Sequence, residues 1–321
     1  KNSFAFTNQK NIPMKRAFSN SNSLNFYQLS LSAFLSFNLY QLILGALLIF
    51  TMPSCSKSCD DTPEIPDTIS EEIKELIYFR GDETAPIVII NAQGGPDVNL
   101  STDIVDLIAD NLTAKDVLSV NPHQAQTLNP DILNESDITL DQAVAFNTES
   151  IDILYKVTKY FKDQGRTVYV LGNSFGAFIS QELIAQKGID VADKYLLISG
   201  RLNMNDLMWQ ASSEGREAGF ENGITPIIDP EPHAVAWERN LMRISAGLAM
   251  NRYTQVLDNI DDLSMLTYIY GTTDEAVGSL TPEEVQFLES KNANIISGSG
   301  GHADTFYEFF AQGMNEAFGL E

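Results

Sequence analysis

From residue 71 onward, short and almost continuously apolar segments alternate with longer segments whose apolar residues recur at helical spacing. The apolar segments are residues 85–95, 166–176 and 264–274, with two weaker examples at 115–122 and 193–200. Such runs are typical of strands that are buried on both faces of a parallel sheet. The pattern therefore predicts a mostly parallel central sheet.

Segments with helical periodicity separate these predicted strands. They are residues 101–112 with a possible N-cap at Ser101 or Thr102, 139–165, 175–188, and a last helix over 303–319. Glycines at 165 and 188 end the second and third of them, as is common at helix C-termini. Alternating strands and helices predict an α/β domain. Because neither an internal repeat nor a second linker is evident, we expect one domain over residues 71–321.

Residues 201–262 interrupt this alternation. The segment is rich in Met, Trp and Phe, its later part has helical spacing, and we predict no strand within it. We interpret it as a helical cap whose apolar side chains line a substrate pocket. The alternative is a helical insertion that packs on the domain and has no role in substrate binding.

The N-terminal residues 1–54 have a different character, with a small basic cluster, a Ser/Asn-rich stretch and an apolar run up to Phe50. The run has the length of a signal-peptide apolar region and is short for a membrane span. Met52-Pro53-Ser54-Cys55 resembles a bacterial lipobox, which implies lipidation of Cys55. Residues 55–70 are polar and acidic, so they predict a flexible tether.

These features predict a lipoprotein that is anchored outside the cytoplasm through Cys55. An uncleaved membrane anchor and a plain secretory signal are the alternatives. The chain opens at Lys1, so either Met14 is the start or the N-terminus is incomplete.

The composition excludes several classes of function. The net charge of -23 disfavours binding to nucleic acid through a basic patch. The chain has two cysteines, Cys55 and Cys59, which cannot form a disulfide framework and leave no thiol for catalysis in the later domain. Histidine–carboxylate spacing typical of zinc sites is absent, and 91–97 is not a dinucleotide fingerprint. We therefore expect neither a metal nor a cofactor.

The motif that points to chemistry is Gly172-Asn173-Ser174-Phe175-Gly176, which joins a β-rich run to a helical run. Glycines two residues before and after a serine permit a sharp strand-to-helix turn with the hydroxyl exposed at the helix N-terminus. Such a serine needs a base, and the base needs an orienting acid.

Three histidines are available as the base. His302 lies in a Gly/Ser-rich loop before the last helix and is the predicted base. His123 is expected at the rim of the site, and His233 is expected to be structural. For the acid, Asp274 follows a predicted strand, and the adjacent Glu275 is the alternative.

The order Ser174, Asp274, His302 resembles that of the α/β-hydrolase superfamily. This resemblance implies an α/β-hydrolase fold with Ser174 as nucleophile, His302 as base and acid, and Asp274 as orienter. It also implies an oxyanion hole from the backbone N–H of Phe175 and of Gly95, with Gly94 as the alternative. The Gly-Gly-Pro of 94–96 is similar to the prolyl aminopeptidase branch, although Gln93 and Asp97 depart from that branch's pattern.

The expected function is hydrolysis of a carboxylic ester with an apolar acyl or aromatic group, through an acyl-enzyme. The alternatives are a small-peptide or amide hydrolase of the same fold and a non-catalytic, membrane-anchored binding module. Fold alone does not decide between them.

Overall fold

The computed structural model describes residues 68–112 and 116–321. The predicted signal segment (1–54), Cys55 and the tether as far as residue 67 lie outside the described residues. Within the described ranges, no helix has both the length and the apolar character to cross a membrane.

Strands within the described residues form one large sheet and one separate pair. They are β1 (Ile77–Gly81), β2 (Ile87–Ala92), β3 (Val117–Pro122), β4 (Thr167–Asn173), β5 (Lys194–Ile198), β6 (Arg216–Glu221), β7 (Thr225–Pro232), β8 (Leu266–Gly271) and β9 (Asn294–Gly298). The large sheet has the order β1-β3-β2-β4-β5-β8-β9. Its pairs are parallel except for β1 against β3.

Helices lie between these strands. They are α1 (Glu71–Lys74), α2 (Asp103–Asn111), α3 (Ala125–Leu128), α4 (Ile132–Glu135), α5 (Leu140–Asp163), α6 (Phe175–Lys187), α7 (Asp206–Ser213), α8 (Ala236–Ala249), α9 (Tyr253–Val256), α10 (Pro282–Ser290) and α11 (His302–Gly313). A 3₁₀ turn (Ile189–Val191) follows α6, and a π-helical turn (Met314–Phe318) follows α11. The α/β class and the mostly parallel sheet that the sequence predicts are confirmed.

Side chains on the two faces of the sheet enter two separate apolar clusters. In β2, Val88 and Ile90 pack into the cluster that contains Phe161 of α5. The intervening Ile89 packs on the other face, in the cluster that contains Phe306 of α11. Because successive side chains of a strand point to opposite faces, an unbroken apolar run can bury residues on both.

The cap differs from its prediction. Between β5 and β8 the chain forms α7, α8 and α9 as expected, but β6 and β7 pair antiparallel between α7 and α8. The prediction of no strand was therefore wrong. Prolines at 226, 230 and 232 disfavour a helix here, because proline lacks the N–H that a helix interior needs. Asn222 and Gly223, at φ 53° and 69°, form the turn of this hairpin.

The edge strands β1 and β9 were also not among the predicted strands. Each has five residues, and each is partly exposed along its length. Strands at the edge of a sheet bury less surface, so their sequences lack the continuous apolar run that identifies β2, β4 and β8.

Candidate active site

Ser174 lies on a strained turn between β4 and α6. Its backbone has φ 54° and ψ −120°, which is unfavourable for a residue with a side chain. A Cβ on Gly172 would lie 2.5 Å from the carbonyl oxygen of Gly176, and a Cβ on Gly176 would overlap the carbonyl oxygen of Ala92. The two glycines of the motif therefore permit the close approach of β4, α6 and β2 at this turn.

His302 contacts both Ser174 and Asp274. Its Nε2 lies 2.8 Å from Ser174 Oγ, and its Nδ1 lies 2.8 Å from Asp274 Oδ2. A carboxylate only accepts hydrogen bonds, so Nδ1 carries the proton that it donates to Asp274. In the neutral imidazole, Nε2 is then the unprotonated nitrogen and accepts the hydrogen bond of the Ser174 hydroxyl.

Asp274 lies in the turn that follows β8, and it is 1% exposed. Its second oxygen, Oδ1, accepts hydrogen bonds of 2.9 Å from the backbone N–H groups of Ala276 and Val277. Residues 272–278 are called the acid turn below. Because both carboxylate oxygens have partners, the acid turn fixes the direction in which Asp274 faces His302.

Glu275, the alternative acid, contacts the backbone of His302 and not its ring. Glu275 Oε2 accepts a 2.9 Å hydrogen bond from the His302 N–H. Ser199 Oγ donates to the His302 carbonyl oxygen at 3.0 Å. These two contacts hold the first residue of α11 from both sides. Sequence reasoning gave no such roles to Glu275 and Ser199.

The other two histidines have different partners. His123 Nδ1 lies 2.8 Å from Thr127 Oγ1, and burial lowers the pKa of His123 below its ordinary value. His233 Nε2 lies 2.9 Å from Glu217 Oε2 in the cap. The structure therefore brings His302, and neither of these rings, to Ser174.

Phe175 and Gly95, the two residues predicted to supply an oxyanion hole, border the same cavity as Ser174. Phe175 is the first residue of α6, where a backbone N–H has no partner within the helix. Gly95 has φ 74°, in the left-handed region that favours glycine. Gly94 does not border the cavity, and a Cβ there would lie 3.0 Å from the Asn173 carbonyl oxygen.

Buried amides hold the loop that carries Gly95. Gln124 Nε2 donates to the carbonyl oxygens of Gln93 and Gly95, at 3.2 and 3.4 Å. Gln93 in turn donates to Asn99 O at 3.1 Å and accepts from the Ser101 N–H at 2.8 Å. Sequence reasoning missed this network, because single glutamines in a chain carry no recognisable spacing.

The cavity beside Ser174 has a volume of about 240 Å³. Its walls combine residues that follow β2 and β4, and residues of the acid turn, with residues of the cap, and most of them are apolar. The lining residues from the cap are Met204, Met208, Trp209, Ser212, Glu217, Ala218, Met242, Ser245 and Ala249. The described part of the cap therefore forms one wall, and Glu217 is the charged side chain in the lining.

The hairpin of the cap is hydrogen-bonded to the acid turn and its C-terminal continuation. The Phe220 N–H donates to the carbonyl oxygen of Glu275 at 2.7 Å, and the Ser279 N–H donates to that of Gly223 at 2.8 Å. The Asn222-Gly223 pair is the sequence signal that predicts such a hairpin, since both residues of its turn need positive φ. The hairpin thus contributes Glu217 and Ala218 of β6 to the cavity wall and is also hydrogen-bonded to the segment that carries Asp274.

Two observations decide the fold: the sheet order with its antiparallel β1 edge, and the strand–serine–helix turn at the carboxyl end of β4. Asp274 and His302 follow β8 and β9 at the same end of the sheet. The chain has an α/β-hydrolase fold.

Solved structures with similar α/β-hydrolase folds have low sequence identity to this chain. MGS-M2, an α/β hydrolase from a Medee basin deep-sea metagenome library, is 16% identical, with a TM-score of 0.47 over 76% of this chain and 93% of that one. The esterase EaEST from Exiguobacterium antarcticum is 11% identical, with a TM-score of 0.49 over 75% and 92%.

A third similar structure, 1H-3-hydroxy-4-oxoquinoline 2,4-dioxygenase, is 15% identical, with a TM-score of 0.47 over 75% of this chain and 94% of that one. One fold hosts many activities. A scan against protein-family models and a search of curated proteins find no match.

Proposed function

We propose that the chain is a serine hydrolase that cleaves a carboxylic ester through an acyl-enzyme at Ser174. The observation that carries the proposal is the pair of contacts that His302 makes beside the cavity. Its Nε2 lies 2.8 Å from Ser174 Oγ, and its Nδ1 lies 2.8 Å from Asp274 Oδ2. This arrangement is what a serine needs to act as a nucleophile, because the imidazole accepts the hydroxyl proton while the carboxylate stabilises the resulting imidazolium.

In the first half of the reaction, Ser174 Oγ attacks the ester carbonyl carbon and its proton moves to His302 Nε2. The carbonyl oxygen becomes an oxyanion that the N–H groups of Phe175 and Gly95 stabilise. The C–O bond to the alcohol then breaks, and the departing oxygen takes the proton from His302. Each oxyanion donor contributes on the order of 3 kcal/mol to lowering the barrier.

In the second half, water attacks the acyl group on Ser174 and gives a proton to His302 Nε2. A second oxyanion forms in the same position and collapses as the bond to Ser174 Oγ breaks. Ser174 recovers its proton from His302, and a carboxylic acid leaves. The balance is one ester and one water for one acid and one alcohol, with no cofactor.

The cavity supports a small, largely apolar acyl or aromatic group. A volume of about 240 Å³ exceeds the roughly 150 Å³ of an apolar cavity that binds benzene. Met204, Met208 and Met242 border it, and methionine adapts to irregular apolar shapes. We expect butanoyl, hexanoyl and benzoyl esters to be better substrates than esters of long-chain acids.

A small-peptide or amide hydrolase is the second candidate, and Glu217 favours it. The Glu217 side chain borders the cavity, and its carboxylate, which contacts His233, would attract an ammonium group such as a peptide N-terminus. The similarity of residues 94–96 to the loop of the prolyl aminopeptidase branch also supports this second candidate. Aminoacyl p-nitroanilides test it, because a Glu217→Gln variant should then lose activity on the amine-bearing substrate and keep it on neutral esters.

Labelling with a fluorophosphonate tests the ester hydrolase against a non-catalytic binding module. We expect the wild-type protein and a Ser245→Ala control to be labelled, because Ser245 borders the same cavity but donates its hydroxyl to Leu241 O. Ser174→Ala should not be labelled and should not hydrolyse p-nitrophenyl butyrate. An unlabelled wild-type protein, or equal labelling of Ser174→Ala, would contradict the proposal.

We also propose that the enzyme is a lipoprotein, anchored outside the cytoplasm through Cys55. The support is the lipobox-like sequence before Cys55 and the polar residues that follow it. Metabolic labelling of the full chain with a fatty-acid analogue tests this, with Cys55→Ser as the variant and Cys59→Ser as the matched control. A secreted or uncleaved protein would give no label that depends on Cys55.

A further inference from the structure

A buried arginine lies directly behind the acid turn. Arg201 follows β5 as the first residue of the cap and is 7% exposed. Its Nε lies 3.5 Å from Oε2 of Glu284, whose side chain is 1% exposed. A buried ion pair costs desolvation of both groups, so it is weak evidence for stability by itself. The role of this ion pair is therefore inferred from the hydrogen bonds that Arg201 and Glu284 make.

The guanidinium is connected to the imidazole of His302 by three successive hydrogen bonds. Arg201 Nη1 donates to the carbonyl oxygen of Val277 at 3.4 Å. The Val277 N–H donates to Asp274 Oδ1 at 2.9 Å, and Asp274 Oδ2 accepts from His302 Nδ1 at 2.8 Å. Val277 thus contacts the arginine through its carbonyl group and the aspartate through its amide.

Two further contacts keep the guanidinium in place beside the acid turn. It lies over the ring of Phe220 at 5.4 Å, and the Phe220 N–H bonds the carbonyl oxygen of Glu275. A Cβ on Gly278 would lie 2.7 Å from Arg201 Nη1 and 3.0 Å from the Phe220 ring. Arg201 and Phe220 therefore fill the space against the end of the acid turn.

Glu284 is fixed independently of Arg201. Its Oε1 accepts the N–H groups of Leu202 and Asn203 at 3.1 and 2.6 Å, and its Oε2 accepts the Thr281 N–H at 2.7 Å. These donors belong to the start of the cap and the N-terminus of α10. The carboxylate is therefore a rigid partner that holds the guanidinium, and the guanidinium holds Val277.

We propose that Arg201 is a positioning residue for the carboxylate of Asp274 and that it acts through the carbonyl group of Val277. The inference deepens the proposed function and rests on it. Without the guanidinium, residues 276–278 can move and take Asp274 away from His302. A displacement of about 1 Å at a catalytic group costs on the order of 100-fold in rate. Arg201 does not line the cavity, whereas Ala276 and Val277 do, so we expect a change in substrate binding that is smaller than the change in rate.

The test compares Arg201→Met and Arg201→Lys with the same changes at Arg166. Arg166 is a matched control: it is 3% exposed, lies over the Phe161 ring at 5.3 Å and donates to a backbone carbonyl group, that of Ala85. It lies just before β4, whereas Ser174 follows the other end of that strand. Replacement of either arginine removes a hydrogen bond to a backbone carbonyl group and a contact with an aromatic ring, but only Arg201 is paired with a buried carboxylate and connected to the acid turn.

With p-nitrophenyl butyrate, we expect kcat to fall on the order of 100-fold in Arg201→Met and about tenfold in Arg201→Lys, with a smaller change in KM. Lysine keeps the charge, but one ammonium group cannot contact Glu284 and Val277 with the geometry of a guanidinium. Both Arg166 variants should keep kcat within about twofold while losing thermal stability.

Proton NMR gives a readout that needs no substrate. The Nδ1 proton of His302, assigned by its absence in Asp274→Asn, should broaden or shift upfield in the Arg201 variants and stay in place in the Arg166 variants. If wild-type protein hydrolyses no ester, the proposed function fails and this signal still tests the role of Arg201. If Arg201→Met does not fold, Arg201→Lys decides. The proposal is overturned by an unchanged kcat and proton signal in Arg201→Lys, or by equal losses in the Arg166 variants.

Discussion

Asn240 provides the sharpest test of how the cap is held on the domain. It lies in α8, is fully buried, and its amide contacts α4 and the segment that joins α4 to α5. Its Oδ1 accepts the Ile138 N–H at 2.9 Å, and its Nδ2 donates to the carbonyl oxygens of Leu133 and Ser136 at 2.8 Å each. One side chain therefore satisfies three backbone groups of another segment.

Replacing Asn240 by Ala leaves those three groups without their partners. A buried polar group that loses its partner costs about 1–3 kcal/mol, and part of this is recovered where water can enter. We expect the free energy of unfolding to fall by about 3–5 kcal/mol, within the range that abolishes a large share of a domain's stability. Because α8 carries Met242 and Ser245 of the cavity wall, KM should also rise.

Urea denaturation monitored by circular dichroism measures the loss, and initial rates on an ester measure KM. Asn134→Ala is the matched control, since its amide is exposed and makes one long contact to Pro130 O at 3.5 Å. That control should stay within about 0.5 kcal/mol of wild type. Asn240→Asp conserves volume but places a carboxylate against two carbonyl oxygens, so it should also destabilise. A loss below about 1 kcal/mol in Asn240→Ala would refute the reasoning.

Three further predictions concern the site and its surroundings. Asp274→Asn should lower kcat on the order of 10⁴-fold. Glu275→Gln keeps an acceptor for the His302 N–H, so it should lower kcat less than about tenfold. Steady-state kinetics on one ester distinguishes the effects of the two variants. Hydrogen bonds from Arg239, and then Arg243, hold the pKa of Asp137 below its usual range. The stability that Asp137 contributes is therefore present above the unfolded pKa of about 3.9 and is lost as pH falls through the lower folded pKa. Below about pH 4, the melting temperature of Asp137→Asn should fall less steeply with pH than that of the wild type. Equal slopes in the two proteins would contradict this. Gly176→Ala should destabilise the fold by more than about 2 kcal/mol and abolish fluorophosphonate labelling of Ser174, because the new Cβ would overlap a carbonyl oxygen of β2. Normal labelling of a folded Gly176→Ala protein would contradict this.

Local patterns sufficed for the parts of the molecule in which one signal dominates. The continuous apolar runs of β2, β4 and β8 identify buried parallel strands, and the fold class that follows from them is confirmed. The G-x-S-x-G motif identifies a turn with a steric requirement that only glycine meets at 172 and 176. The chain order of serine, acid and histidine then limits the candidates for a hydrogen-bonded triad.

Long-range partners were beyond such patterns. Arg201 and Glu284 are separated by most of the cap and by the acid turn, and nothing near either residue indicates the other. Gln124 supports the loop of Gly95 from 29 residues away. The hairpin is different, because Asn222-Gly223 is a local turn signal, and the prediction of a helical cap used the helical spacing of the later residues without this signal.

The hydrogen bonds between the hairpin and the acid turn have a consequence for protein engineering. Exchanging the cap of an enzyme is a natural way to change its substrate range, on the assumption that the cap and the catalytic core are separate modules. Here Phe220 bonds the residue next to Asp274, and Gly223 bonds Ser279 just beyond the acid turn. A transplanted cap would therefore have to reproduce those two contacts, and a library that varies pocket residues should leave the hairpin intact.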